Sequence, residues 1–120
     1  MSRKLTVAIV GCGDFAKNFV NLFKVHPFVE KVYVCDIIRS KAEGYRKKFH
    51  VDIIDTFETI LKREDINAVA IFAQRHLHGP LAMKALCAGK HVYSAVPMAS
   101  EVEECQKIVE LVKRTGLTYM

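Results

Sequence analysis

Residues 7–16 read Val7-Ala8-Ile9-Val10-Gly11-Cys12-Gly13-Asp14-Phe15-Ala16, an apolar β-branched strand that breaks into the pattern G-x-G-x-x-A. Gly11 permits a tight turn, Gly13 has no Cβ to block a pyrophosphate at the backbone, and Ala16 lets the next helix pack closely on the strand. The free N–H groups and the dipole at the start of that helix favour phosphate. The stretch therefore predicts a strand–turn–helix unit that binds a dinucleotide, with Asp14 and Phe15 as further contacts in the turn.

Asp36 follows the next apolar strand, residues 31–35, and stands twenty residues beyond Ala16. The dinucleotide fingerprint places an acid at this distance, where it accepts hydrogen bonds from the adenosine ribose. A carboxylate there repels a 2′-phosphate, which favours NAD over NADP. Arg39 offers the opposite chemistry, because a guanidinium can stack on adenine or pair with a 2′-phosphate. Since Asp36 lies directly at the strand end, the prediction is NAD, with NADP as the less favoured cofactor.

Hydrophobic periodicity predicts that strands and helices alternate along the rest of the chain. Predicted strands cover residues 5–10, 31–35, 51–54, 68–72, 91–94 and 117–120. Predicted helices cover residues 14–25, 40–49, 56–62, 80–89 and 101–115, with Asp55 as the N-cap of the third and a Ser100–Glu103 capping box before the last. An apolar stripe at helical spacing indicates a core face on the first helix: Phe15, Phe19, Leu22 and Phe23. Phe15 is also close enough to the turn to contact a cofactor instead.

Strands that alternate with helices through short turns predict βαβ units, right-handed crossovers and a parallel sheet. We therefore expect an α/β, Rossmann-type doubly wound sheet with the strand order 3-2-1-4-5-6. This order puts the glycine turn at the switch point, where open sheets of this type bind ligands. Because the sequence stops inside an apolar strand, we expect residues 1–120 to be one dinucleotide-binding domain of a longer, two-domain protein.

The composition is that of one globular domain with a buried core: 120 residues, 51% hydrophobic and 26% charged. No apolar stretch approaches the ~20 residues that span a bilayer, and no secretory signal precedes the first strand, which predicts a cytoplasmic protein. The net charge of +5 is scattered, and its densest group, Arg46-Lys47-Lys48, is typical of a solvated helix face rather than of a nucleic-acid site. Four cysteines without a C-x-x-C pair or metal-ligand spacing indicate reduced thiols, of which Cys12 offers a minor possibility of redox sensitivity.

Four segments together resemble the N-terminal domain of the Gfo/Idh/MocA oxidoreductase family, which includes glucose–fructose oxidoreductase and inositol dehydrogenase. They are residues 8–16, residues 34–36, the run His76-Leu77-His78-Gly79-Pro80-Leu81-Ala82, and the run Ala88-Gly89-Lys90-His91-Val92-Tyr93 followed by Pro97. The last two segments are specific to the family, and the likeness covers essentially the whole chain. The resemblance implies an NAD(P)-dependent protein that acts on a carbohydrate-like small molecule, with a second domain that completes the substrate site and often forms a homo-oligomer.

The same resemblance implies cofactor contacts after the fourth and fifth strands, at Ala73, Gln74, His78 and Pro97. There the chain departs from the family, which often has Thr-Pro-Asn at Ala73-Gln74-Arg75 and usually has Glu-Lys-Pro at Ala95-Val96-Pro97. The family lysine helps to bind substrate and to move a proton, whereas valine can do neither, so the catalytic residues stay unassigned. His78 either contacts cofactor or substrate through an imidazole that titrates near neutrality, or makes a hydrogen bond at the helix start.

Three functions follow from this pattern. The leading prediction is an oxidoreductase that passes a hydride between NAD and a sugar or polyol, with catalytic groups shared between two domains. The second is a glycosidase of the same family, which oxidises a sugar hydroxyl transiently and so acidifies the neighbouring C–H before elimination. The third is a non-catalytic NAD(P)-binding regulator, like the sugar-pathway repressors that share the fold.

Overall fold

The computed structural model describes residues 4–120, and these form alternating strands and helices as predicted. The strands are β1 (Leu5–Val10), β2 (Val29–Cys35), β3 (Asp52–Ile53), β4 (Ala68–Ile71) and β5 (His91–Ser94). The helices are α1 (Lys17–Val25), α2 (Arg39–Phe49), α3 (Phe57–Lys62), α4 (His78–Cys87) and α5 (Val102–Thr115), and a short 3₁₀ turn, Arg75–Leu77, leads into α4.

The five strands form a parallel sheet in the order β3-β2-β1-β4-β5, which confirms the Rossmann-type fold. The order reverses between β1 and β4, so the connections after these two strands diverge and leave a crevice at their carboxyl ends. The predicted sixth strand is only partly formed. Residues 117–120 lie parallel to β5 through a single bridge between Val92 and Tyr119. Backbone hydrogen bonds from Val92 to Thr118 and from Ser94 to Met120 support this bridge.

The core consists of two layers, one on each face of the sheet. Alternate residues of β1 belong to different layers, as the two-residue period of a strand requires: Ala8 and Val10 pack in one, Val7 and Ile9 in the other. The first layer includes the buried side chains of α3, α4 and α5, and the second includes those of α1 and α2. Since both faces of β1 are covered, its residues 7–10 are all apolar rather than alternating.

The aromatic stripe of α1 was predicted to be core, and this holds only for its inner edge. Phe19 and Phe23 are half-buried, whereas Phe15 and Leu22 are 59% and 61% exposed. The rings continue onto the sheet, with centroid separations of 5.1 Å between Phe19 and Phe72 and 5.6 Å between Phe23 and Tyr93. The reason is topological: α4 and α5 cover the opposite face of β4 and β5, so the face beside α1 stays partly open.

Two predicted helix caps are wrong. Asp55 does not cap α3, because Thr56 takes the N-cap position and its hydroxyl accepts a hydrogen bond from the Thr59 N–H at 3.2 Å. The predicted capping box of Ser100 and Glu103 is also displaced, since α5 begins at Val102 with Glu101 as its N-cap. In both cases the helix begins one residue later than predicted, at a position that packing rather than local preference selects.

Lys90 enters the fold as a buried cation just before β5. Its ammonium group donates hydrogen bonds to the backbone carbonyls of Arg63 and Ile66, the latter at 2.8 Å. Burial lowers the pKa of Lys90, while Asp65 and Glu64 oppose that shift. The side chain therefore ties the loop between α3 and β4 to the strand beside it.

Candidate dinucleotide-binding site

The carboxyl edge of the sheet collects most of the predicted site residues. The turn of residues 11–16 follows β1, Asp36 follows β2, Ala73 and Gln74 follow β4, and Pro97 follows β5. Because β1 and β4 are neighbours in the sheet, the turn and Ala73 lie side by side at the switch point. The parallel topology thus brings together segments that are up to 86 residues apart (97 − 11) in the chain.

The two glycines of the turn have different physical roles. Gly11 has φ +100°, and a Cβ on it would lie 2.6 Å from the carbonyl carbon of Phe72 and 2.7 Å from the Ala73 nitrogen. Glycine is therefore required at Gly11 by the fold itself, because the turn packs directly on the backbone that follows β4. A Cβ on Gly13, in contrast, would meet nothing within 4 Å in the described chain. The space beside Gly13 is what a pyrophosphate needs to approach the backbone.

Two backbone donors of the turn are paired, and the three that follow have no partner among residues 4–120. The Gly11 N–H donates to the Cys35 carbonyl at 2.8 Å, and the Cys12 N–H donates to Asp36 Oδ2 at 2.7 Å. The next three N–H groups, of Gly13, Asp14 and Phe15, donate no hydrogen bond to any of residues 4–120. Unpaired donors before the first turn of a helix form an anion site, so the turn fits the pyrophosphate of a dinucleotide.

Asp36 is held at the end of β2 by its own backbone surroundings. One carboxylate oxygen accepts from the Cys12 N–H, and the other accepts from the Ile38 N–H at 2.8 Å. Each oxygen keeps a further lone pair, so the carboxylate can still accept hydrogen bonds from the hydroxyls of a ribose. The bond from Cys12 couples the acid to the glycine turn, which the sequence pattern did not indicate.

Arg39 is the first residue of α2 and lies on the exposed side of this edge. Its guanidinium pairs with Asp55, from the loop between β3 and α3, and with Glu43 at 3.2 Å one helical turn on. These carboxylates, Asp55 first, raise the pKa of Arg39. A 2′-phosphate would have to compete with both carboxylates for the guanidinium.

His78 is buried, at 3% exposure, below the crevice rather than on its surface. Nδ1 lies 2.7 Å from the carbonyl oxygen of Pro97, and Nε2 lies 2.8 Å from that of Ala73. The ring therefore bridges the segments after β4 and β5, which both carry predicted cofactor contacts. Both ring nitrogens thus lie against backbone carbonyls, which corresponds to the predicted structural hydrogen bond at the start of α4, and contact of His78 with cofactor or substrate stays a prediction.

Comparison with known proteins identifies the family to which this chain belongs. The model of an oxidoreductase family with an NAD-binding Rossmann fold matches residues 5–120. The chain belongs to the Gfo/Idh/MocA family. Membership makes the turn of residues 11–16 the expected phosphate site of an NAD-binding domain.

Individual relatives carry sugar-related names. A glycosyl hydrolase family 109 protein from Streptomyces filamentosus is 34% identical over 91% of this chain and 24% of its own length. Inositol 2-dehydrogenase from Salmonella typhimurium is 29% identical over 93% of this chain and 34% of its own length. The crystal structure of an NAD-binding protein from Listeria innocua superposes with a TM-score of 0.91, at 31% identity over 98% of this chain and 35% of that one. The chain thus spans about a quarter to a third of the length of these relatives.

Val96, at the position where the resemblance implies a lysine, is exposed to solvent. Val96 is 89% exposed between the end of β5 and α5, and Pro97 beside it accepts the His78 bond through its carbonyl. Gln74 and Arg75 are also exposed, at the other side of the crevice. The Ala95-Val96-Pro97 loop, where the resemblance implies a lysine, therefore presents an exposed apolar side chain.

The surroundings of Cys12 disfavour a reactive thiolate, although the residue lies in the turn. Burial first, and the nearby Asp36 carboxylate second, raise the pKa of its thiol to about 12. The thiolate is the reactive form of cysteine, so the small redox possibility considered for Cys12 has no support from its surroundings. Among residues 4–120, no group of three or more His, Cys, Asp or Glu side chains is placed to hold a metal ion.

Tyr45 contacts the turn although no sequence pattern indicated it. This residue on α2 is buried, and its hydroxyl donates a hydrogen bond to the carbonyl of Gly13. The spacing of Ala42, Tyr45 and Phe49 indicates a buried helix face, but no local pattern tells that the hydroxyl reaches a turn 32 residues away.

Proposed function

We propose that this chain is the dinucleotide-binding domain of an oxidoreductase that transfers a hydride between NAD and a sugar, polyol or related substrate. The observation that carries the proposal is the turn of residues 11–16, whose free N–H groups and open space beside Gly13 fit a pyrophosphate. Family membership supports the cofactor class, and relatives named as inositol dehydrogenase and sugar 3-reductase support the substrate class.

The residues of this chain would bind and orient the cofactor. N–H groups of the turn hold the pyrophosphate, Asp36 accepts hydrogen bonds from the adenosine ribose, and its charge opposes a 2′-phosphate. His78 lies between the Ala73 and Pro97 carbonyls, and would thereby order the two loops that carry the other predicted cofactor contacts. When bound, the nicotinamide supplies the hydride chemistry, and a water-poor site around it requires walls on both sides.

Proton transfer during this reaction would depend on groups other than residue 96. Valine has no exchangeable proton, and Val96 occupies the position of the family lysine. We therefore expect residues 1–120 by themselves to bind NAD but to turn over no substrate. Absorbance at 340 nm over a panel of sugars and polyols tests this, and steady oxidation of any sugar by a monomeric 120-residue chain would overturn it.

A second candidate, the NAD-dependent glycosidase, is favoured by the relatives named as glycosyl hydrolase family 109 proteins at 34% identity. Transient oxidation of a hydroxyl would acidify the neighbouring C–H, which permits elimination of the aglycone, addition of water to the resulting double bond and return of the hydride to the ketone. Such a cycle produces sugar release without net reduction of NAD.

The decisive experiment uses the full-length protein that carries this domain. A dehydrogenase accumulates NADH with a free sugar or polyol, whereas a glycosidase releases the aglycone of an aryl glycoside with no net change at 340 nm. Binding of NAD without either reaction on the panel would favour the non-catalytic regulator. Failure of the chain to bind NAD by calorimetry would refute the cofactor assignment on which all three depend.

Assembly and compartment complete the proposal. Within residues 4–120, none of the helices is both long and apolar enough to cross a bilayer. A homo-oligomer and a cytoplasmic location remain predictions, which sedimentation of the full-length protein and cell fractionation would test.

A further inference from the structure

Tyr45 is a long-range contact to the glycine turn that the cofactor assignment alone does not explain. Its side chain is 8% exposed in the layer between α2 and the sheet, and its ring packs against Phe49 with centroids 5.3 Å apart. From this position the hydroxyl donates its proton to the carbonyl oxygen of Gly13. The ring is therefore anchored in the core, while the hydroxyl reaches out to the turn.

The acceptor of this bond belongs to a functional peptide group. The Gly13 carbonyl and the Asp14 N–H are part of one planar unit, and in a trans peptide they point in opposite directions. A bond that holds the carbonyl toward α2 thus directs the Asp14 N–H away from α2. That N–H is one of the turn donors without a partner among residues 4–120, and Asp14 itself is exposed.

The peptide after Gly13 needs such a restraint more than its neighbours do. Glycine has no Cβ and populates a wide range of backbone angles, so the plane that follows it is free to rotate. The preceding part of the turn is already tied, because the Cys12 N–H donates to Asp36. Burial raises the pKa of Tyr45, so its hydroxyl stays protonated and can donate at neutral pH.

We propose that Tyr45 is a positioning residue for phosphate: by holding the Gly13 carbonyl, its hydroxyl presets the Asp14 N–H as a donor to the pyrophosphate of the dinucleotide. The inference rests on the cofactor site described above and assigns to α2 a role in that site. Asp36 and Tyr45 together restrain two consecutive residues of the turn, Cys12 through its N–H and Gly13 through its carbonyl.

The test is Tyr45→Phe, which removes only the hydroxyl from the buried ring. We expect the Kd of ADP and of NAD to rise about five- to tenfold, as for the loss of one preset donor to a charged group, while the Kd of adenosine stays within about twofold. Adenosine lacks the phosphates and so serves as an internal reference. The Asp14 amide resonance in a ¹⁵N–¹H spectrum should also shift, and should no longer respond to ADP as it does in the unchanged chain.

Tyr33→Phe is the matched control. It removes a hydroxyl that accepts a hydrogen bond from Arg63 at 3.1 Å, away from the turn, and it should leave all three Kd values unchanged. Equal losses for ADP and adenosine in Tyr45→Phe, an unchanged ADP affinity, or a variant that no longer folds would each overturn the inference. If the unchanged chain binds neither ADP nor NAD, the cofactor assignment itself fails, which is a distinct result.

Discussion

Alanine substitutions at the two glycines of the turn should separate folding from cofactor binding. In Gly11→Ala the new Cβ would lie 2.6 Å from a backbone carbon of Phe72, on a residue with φ +100°. The positive φ costs a non-glycine residue about 1–3 kcal/mol, and displacement of packed backbone adds about 1–3 kcal/mol. We therefore expect Gly11→Ala to lower the free energy of unfolding by about 3–5 kcal/mol, most of the margin of a small domain.

Gly13→Ala should weaken cofactor binding and leave the stability of the fold nearly unchanged. Its Cβ meets nothing within 4 Å, so the free energy of unfolding should change by less than about 1 kcal/mol. The methyl group would occupy the space next to the free N–H groups and displace the pyrophosphate from one or two of them. Charge-assisted hydrogen bonds contribute about 1.5–3 kcal/mol each, so a loss near 3 kcal/mol should raise the Kd of NAD about 100-fold. Gly13→Val, with its branched side chain, should abolish binding while the fold remains.

Calorimetric titration with NAD and urea unfolding measure the two effects on the same samples. Gly44→Ala is the control, because Gly44 lies within α2 and its added Cβ also meets nothing within 4 Å of the described chain. It should bind NAD normally and be slightly more stable. Normal NAD affinity in Gly13→Ala, or normal stability in Gly11→Ala, would refute the division of roles.

Three further predictions follow from individual side chains. Asp36→Asn should raise the Kd of NAD about tenfold and improve the affinity for NADP relative to NAD, because the repulsion of a 2′-phosphate is lost. A direct titration in which the unchanged chain already prefers NADP would contradict this. Cys12 and Cys35, whose thiol pKa values are raised by burial to about 12 and about 11, should resist a thiol reagent at pH 8 until the chain unfolds, whereas exposed Cys87 should react at once. Rapid labelling of Cys12 in the folded chain would show that the turn opens. Lys90→Met should leave two backbone carbonyls without their donor and lower the free energy of unfolding, measured by urea unfolding, by about 2–4 kcal/mol. Lys84→Met, at the exposed lysine of α4, should have little effect, and equal stability of the two variants would mean that Lys90 is not structural.

Local patterns were sufficient to predict the elements and the class of ligand. About 30 residues contain the apolar run, the glycine turn and the acid after β2 that together predict a dinucleotide site. Each of these signals depends on side-chain chemistry that acts at short range. The family-specific runs around His78 and Lys90 added the family, and the matched model confirmed it. Helix starts were less accurate, as at Thr56 and Glu101, because several neighbouring residues offer similar caps and packing selects among them.

Only the tertiary structure decided which groups meet at the carboxyl edge. Gly11 is required by the backbone of Phe72, 61 residues later (72 − 11), and His78 joins the segments after β4 and β5. Tyr45 reaches Gly13 because α2 packs next to the turn, and Arg39 meets Asp55 because β3 lies beside β2. A sequence pattern records which residues can bury an apolar face or cap a turn. It does not record which distant partner a buried polar group finds, because that partner is set by the order of the strands and the packing of the helices on the sheet.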